Sequence, residues 1–210
     1  YQLVLRVPGE SWTITGDSYL FAPDGSGLLL QTPGSAHYVP LLEEGPQEAL
    51  PLSDSTYAQA YFIAESSGLL VTGEQGVQVF SKHSLDNGVI EPIDLLDAEG
   101  GTLDRIVSIS PDAGHFIASP GAHVFSAAAA LAGETTGREY GTHWLTHASD
   151  DWLVIWGASG TWLERWDESE KLVLTEGWHQ DAPRLHACGN RAVSMGESEV
   201  ADYDLTETTP

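Results

Sequence analysis

Apolar residues along this chain gather into short runs, and the runs recur at a nearly constant interval. Five of them begin at Leu28, Leu69, Phe116, Leu153 and Ala192, which lie 41, 47, 37 and 39 residues apart. Each run leads into a turn signal able to close a hairpin: TPGS at 32–35, GEQG at 73–76, SPG at 119–121, GASG at 157–160 and GES at 196–198. Glycine in such turns admits the positive φ that tight hairpins require. Beyond every turn comes a second extended segment bearing an aromatic residue, Tyr38, Phe80, Phe125, Trp166 or Tyr203, spaced 42, 45, 41 and 37 residues apart. Val77 and Val79 alternate around Gln78 with the period of two that belongs to a strand. Repeats at this interval point to a modular architecture before any other pattern is considered.

A unit of this length holds four strands, which is the content of one propeller blade. The pattern predicts first strands at 18–21, 57–64, 103–109, 143–147 and 183–187, and fourth strands at 49–52, 89–95, 138–140 and 172–174. The fifth unit stops after its third strand. An apolar alternating segment at 2–7 stands before the first unit and supplies the missing one. The expected fold is therefore all-β: a five-bladed β-propeller of four-stranded blades, a single domain over 1–210, with its ring closed by pairing of 2–7 with 199–203. Closure has a physical reason, since an open stack leaves hydrogen-bonding edges and an uncovered face at both ends. A β-sandwich, or an open piece of a larger propeller, is the competing architecture. Helical composition is confined to AAAALA at 127–132, read as an insertion in the third repeat that serves local packing. Because the chain begins at Tyr1 and not at methionine, it is read as potentially excised from a longer chain, with a leader or upstream domain removed.

Several segments resemble the WD-repeat (Trp-Asp repeat) β-propeller family. SISPDAGHFIAS at 108–119 and APDGSGLLL at 22–30 are similar to that family's turn between first and second strands. GTWLERWDESEKLVL at 160–174 carries its third-strand ending at Trp166 and Asp167, and Tyr203, Asp204 and Leu205 repeat that ending. The resemblance implies a propeller and, in many members, a role as an interaction scaffold. It is degenerate: Phe80 precedes Ser81 and Phe125 precedes Ser126, so the Trp-Asp dipeptide occurs once. The family's blade network of His, Ser or Thr, Trp and Asp is incomplete as well. His179 stands where a Gly-His pair would fall, but the fifth unit has Asn190 in its first turn, while Asp112 is well placed with no histidine in 98–102. Blades should then be held by apolar packing, with the aromatic series as packing residues.

Charge narrows the function. The 210 residues carry 31 acidic against 8 Lys and Arg side chains, a net charge of -23, yet only 19% are charged. Scarcity of bases makes the imbalance. Such a field repels phosphates and anionic lipid, which excludes nucleic acid and a polybasic membrane anchor as partners. No apolar run approaches the roughly 20 residues of a membrane helix. A single cysteine, Cys188, forbids an internal disulfide and a cysteine-built zinc site, and it weakly favours a reducing, cytoplasmic compartment.

Catalytic patterns are sparse: there is no G-x-S-x-G elbow, no phosphate-cradling GxxxxGK and no H-E-x-x-H zinc motif. His143 and His147, four apart on a strand, stand about 13 Å from each other and cannot share a metal. His115 and His123 flank one hairpin, where a zinc pair is the minor reading against ordinary histidines. Asp150 with Asp151, and Asp202 with Asp204, are read as turn or strand-end residues ahead of calcium ligands. No catalytic residue, metal or cofactor is expected.

The reading that follows is a noncatalytic interaction module, a scaffold for a protein or peptide partner, with the acidic surface selecting a basic one. Adaptation to a salty cytoplasm explains the same acidity and stays open beside it. A lectin-like propeller holding a sugar is the second reading, and a glycoside hydrolase using funnel carboxylates the third. The expected ligand face is the one formed by links entering each new blade, with Trp12, Asp54, Glu99, His143, Trp178 and His179 as contacts. Oligomeric state is not legible in the sequence.

Overall fold

The structure, a computed structural model, describes residues 2–7, 10–15, 18–32, 34–42, 44–147, 150–157, 160–176, 184–188, 191–195 and 200–204. Side chains are described from 18 to 146 and from 150 to 173 within those ranges. An N-terminal hairpin of β1 (Gln2–Val7) and β2 (Glu10–Thr15) comes first. The first sheet follows: β3 (Ser18–Phe21), β4 (Gly27–Thr32) and β5 (Ser35–Leu42), the two-residue β6 (Gly45–Pro46) beside the end of β5, and β7 (Leu50–Ser53) along its outer edge. The second sheet contains β8 (Gln59–Ile63), β9 (Gly68–Gly73), β10 (Gly76–Ser81), the one-turn helix α1 (Lys82–Asp86) and β11 (Pro92–Asp94). The third has β12 (Arg105–Ile109), β13 (His115–Ser119), β14 (His123–Ser126), helix α2 (Ala127–Leu131) and β15 (Arg138–Glu139). The fourth is β16 (Trp144–His147), β17 (Trp152–Gly157), β18 (Gly160–Arg165) and β19 (Lys171–Glu176). A three-stranded meander of β20 (Arg184–Cys188), β21 (Arg191–Met195) and β22 (Val200–Asp204) ends the order. Among the described residues all pairings between strands are antiparallel, and all but that of β5 with β7 join sequence neighbours.

The apolar runs are the second strands, and in the four sheets from β3 to β19 they are continuous because both faces of each sheet are covered. In β4, Leu29 points into a cluster with Tyr38, Phe62, Leu69, Val71 and Phe80, between the first and second sheets. Leu70 points the other way, toward Val77, Val79, Phe116, Ala118 and Phe125, between the second and third. Ile117 leaves that layer for the next, with Leu145, Leu153, Ile155 and Trp162. The strand period of two thus sends alternate residues of one run to different neighbours. The two outermost faces of this four-sheet series are covered as well. Leu28, Leu30 and Val39, turned from the second sheet, are 0%, 8% and 3% exposed. Trp152, Val154 and Leu163, turned from the third, are 3%, 2% and 0% exposed.

Three departures from the sequence reading have local causes. The expected ladder between 2–7 and 199–203 is not among the described pairings. Instead β1 pairs with β2 from Gln2 opposite Thr15 to Val7 opposite Glu10, while β22 pairs with β21. A hairpin between strands that adjoin in sequence closes a far shorter loop than a join between the termini, and loop closure favours it. Second, the alanine helix is not peculiar to the third repeat, because α1 occupies the same place after β10. Third, the fourth strand of the second sheet contracts from 89–95 to Pro92–Asp94, since α1 and its exit turn occupy the chain before it.

Gly76 shows how tightly the sheets approach. Its φ is +95°, and a Cβ there would lie 2.5 Å from the carbonyl oxygen of Leu103, which also accepts the amide of Val77 at 2.8 Å. Gly76→Ala is therefore expected to cost at least about 1–3 kcal/mol, from strained backbone and a clash with an oxygen that cannot move freely. The midpoint of urea unfolding checks it.

Candidate functional site

The first strand of each sheet is an edge strand, and those of the first three sheets converge. One cavity of about 380 Å³ is lined by Leu20, Phe21 and Pro23 of the first sheet, Tyr61 and Phe62 of the second, and the stretch from Ile106 to Pro111 with Ala113 of the third. Residues drawn from three sheets around one space are what strands facing a common axis produce. Large apolar groups stand open there, with Leu20, Phe21 and Val107 at 45%, 42% and 47% exposure. Trp144, at the start of β16, is exposed on the fourth first strand.

The lining reaches the turns between first and second strands through Pro23, Ser110, Pro111 and Ala113. That end is continuous between sheets: Ala64 N donates to Ala113 O at 2.9 Å, and Asp112 N to Asp150 Oδ1 at 2.8 Å. Carboxylates follow the same turns, Asp24 beside Pro23, Glu65 beside Ala64, Asp112 between Pro111 and Ala113, then Asp150 and Asp151. Asp24 accepts from the Ser26 hydroxyl and from its amide, which holds its carboxyl below the ordinary range. Burial works to raise Asp112, but hydrogen bonds from Ser110 Oγ at 2.6 Å and Gly114 N at 2.9 Å prevail and lower it. Asp24 and Asp112 are therefore ionised at neutral pH.

His115, at the start of β13, sits behind this rim with its ring 3.5 Å, centroid to centroid, from that of Trp166 and edge-on to it. Burial pushes its pKa down to about 4, against the attraction of Asp112, Asp151 and Asp150. Since the unfolded chain holds the proton with a pKa near 6.5, the unfolded state gains protons first as pH falls. Stability should be level above about pH 6.5 and decline from there toward about pH 4. The Asp24, Asp112 and Asp167 contributions act lower, since a depressed carboxylate loses its stabilisation only as pH falls through its folded value. Urea midpoints across this window should slope in the parent protein and flatten in His115→Phe.

Three of the residues expected at the ligand face, Asp54, Glu99 and His143, lie at the other end of the sheets. Asp54 is exposed in the link from β7 to β8, and Glu99 is exposed after β11, its amide donating to Asp97 Oδ1 at 2.9 Å. His143 is half-buried: its Nδ1 lies 2.7 Å from Tyr140 O, and its ring meets Trp162 edge-on at 5.3 Å. No described contact joins any two of these three. Trp12 falls within β2 rather than in a link, with its side chain outside the described residues, and Trp178 and His179 lie outside them entirely. Tyr57, 86% exposed in the same link as Asp54, was not singled out by the sequence.

Other chemistry resolves into structure. The hairpin register sets His115 opposite Ser126 and His123 opposite Ala118, three positions apart and on opposite faces, so the pair cannot share zinc. Among the described residues no group of three His, Cys, Asp or Glu side chains is placed to hold a metal ion. Tyr38, Phe80 and Phe125 are buried between sheets, as packing residues should be. Tyr38 donates to Asp86 Oδ1 at 2.6 Å, and Lys82 bonds Asp86 Oδ2 at 2.6 Å, tying α1 to the first sheet. Burial, then that carboxylate, keeps the phenol protonated. Glu164 plays the same part between the third and fourth sheets, accepting from Tyr140 at 2.6 Å and Trp162 Nε1 at 3.2 Å beside Arg138.

No family model matches the chain, and no curated protein matches it significantly. Solved structures do. A putative TolB from Agrobacterium tumefaciens is 14% identical with a TM-score of 0.46, over 94% of this chain and 74% of that one. Apo AztD from Citrobacter koseri is 13% identical at 0.49, over 95% and 62%. A eukaryotic initiation factor is 10% identical at 0.52, over 90% and 52%. The chain thus spans between about half and three quarters of these proteins' lengths. At such identities the likeness is one of fold, and the fold is β-propeller-like, built of antiparallel four-stranded sheets. No helix among the described residues is long and apolar enough to cross a membrane.

Proposed function

We propose that this chain is a noncatalytic interaction module, a β-propeller of five sheets over residues 1–210 that holds a protein or peptide partner at one end of its central channel. The observation that carries the reading is the open apolar cavity on the converging first strands. Its lining supplies no carboxylate, so the two that a glycoside hydrolase needs would have to come from elsewhere. Closure of the ring is supported by the burial of both outermost sheet faces, which need a cover. On this reading β20–β22, with the β1–β2 hairpin, is the fifth unit. A net charge of -23 favours a basic partner and disfavours nucleic acid and anionic lipid. A sugar-binding alternative draws on the exposed Tyr57 and Trp144.

Selection from a displayed library of random peptides tests the module. Enriched sequences that bind one-to-one at about micromolar Kd or tighter are the expected result. A library that yields no binder, together with retention on a panel of immobilised glycans, would replace this reading with the sugar-binding one. Turnover of a glycoside substrate would replace both.

A further inference from the structure

Resting on that reading, we infer that the cavity among β3, β8 and β12 takes a large apolar side chain of an extended peptide segment whose flanking residues are lysine or arginine. The apolar half of this recognition is Leu20, Phe21, Tyr61 and Val107, whose exposed carbon surface loses contact with water when the side chain enters. At about 380 Å³ the space lies near the lower bound of the roughly 300–1,000 Å³ found for ligand pockets. It fits one or two side chains better than a run of sugars. Two of the three side-chain hydroxyls of the lining are engaged within the fold: Ser110 Oγ donates to Asp112 and accepts the amide of His115 at 2.9 Å, and Ser108 Oγ accepts from Thr146 Oγ1 at 3.5 Å. Of the lining side chains that leaves the Tyr61 hydroxyl, whereas a hydroxyl-rich ligand needs several polar partners to orient it.

The cationic half follows from the rim. Asp24, Glu65, Asp112, Asp150 and Asp151 stand on the turns around the mouth, whereas several described basic side chains have carboxylate partners of their own. Lys82 pairs with Asp86, Arg138 with Glu168 and Glu164, and Arg165 with Glu170. The field at the mouth is consequently negative, and a partner's cations neutralise it. A second copy of this chain is a poor occupant, because two surfaces of net charge -23 repel. This end of the sheets is also the one opposite Asp54, Glu99 and His143.

The probe is a fluorescent hexapeptide, Lys-Lys-Leu-Phe-Lys-Lys, titrated by anisotropy at low and high salt, beside a Gln-Gln-Leu-Phe-Gln-Gln peptide and a Lys-Lys-Ser-Ser-Lys-Lys peptide. Saturable binding of the first alone is expected. Leu20→Ser with Val107→Ser should weaken it about tenfold or more, as loss of a central apolar contact does. Both residues are exposed, so folding should survive, and Val107→Ser alone serves if the double variant melts early. Glu65→Gln with Asp151→Asn should weaken binding several-fold and flatten its salt dependence. Asp54→Asn with Glu99→Gln should change nothing. Equal binding of the three peptides, indifference to the cavity variants, or no saturable binding by about 1 mM would overturn the inference. Peptides selected from the library that depend on Asp54 and Glu99 instead would keep the interaction module and move its site. An empty selection would remove the module itself.

Discussion

Phe116→Ala is expected to lower the unfolding free energy by about 3–5 kcal/mol, among the largest single losses available in this fold. Phe116 is fully buried and stacks on Phe125 with ring centroids 5.1 Å apart and planes 8° from parallel. Val77 and Val79 reach the same layer from the second sheet and Leu95 and Leu103 from the link that follows it, while Ala127 and Ala130 of α2 close its outer side. Alanine would leave a cavity between two sheets whose backbones are already fixed by cross-links such as Val77 N to Leu103 O. For a domain of this size each kcal/mol moves the melting temperature by about 2–4 °C, so a fall of about 10 °C is expected. Calorimetry or urea unfolding measures it, with the exposed Val107→Ala as a control that should stay within about 0.5 kcal/mol. A loss below about 1 kcal/mol would mean that the second and third sheets are not packed as described.

Phe116 was legible in the sequence for the same reason that it is costly to remove. A strand buried on both faces reads as an unbroken apolar run, and a run of that kind with a glycine turn after it is hard to mistake. First strands at 18–21 and 143–147 differ from β3 and β16 by at most one residue, and 138–140 contains β15. What escaped was short or local. A five-residue helix such as α1 cannot display a 3.6-residue period, and its N-cap, Ser81, makes no capping bond with its side chain. In β2 the residues Glu10–Thr15 alternate Trp12 and Ile14 with polar neighbours, yet no repeat precedes them, so counting in units passed over the strand and assigned β1 to the far terminus.

The candidate site was less legible, and geometry explains why. Leu20, Phe21, Tyr61 and Val107 come from segments 40 to 87 residues apart, each carrying the ordinary apolar pattern of a strand. Nothing in such a pattern tells which face of an edge strand meets a neighbouring sheet and which meets the axis. Tryptophan and histidine in links drew attention instead because they are chemically conspicuous. For His143 the conspicuous ring is engaged within the fold by Tyr140 and Trp162.

Closure of the ring carries the last expectation. Leu28→Ala and Leu163→Ala should each cost about 2–5 kcal/mol, as much as a leucine between two described sheets. Both are 0% exposed, although Leu28 faces away from the second sheet and Leu163 away from the third. In a series open at its ends these faces would be solvent-exposed, and alanine would shift stability by no more than about 0.5 kcal/mol. Val173→Ala, on the exposed side of β19, supplies that reference value in the same protein. The double variant separates closure from two unrelated covers. In a ring, one fifth unit presses on both faces, so loosening it from one side alters what the other side loses. The paired loss should then depart from the sum of the single losses by at least about 0.5 kcal/mol. Strict additivity with two large single effects would mean that different parts of the chain cover the two faces. Two small effects would mean that neither face is covered in solution, and the ring would have to be abandoned.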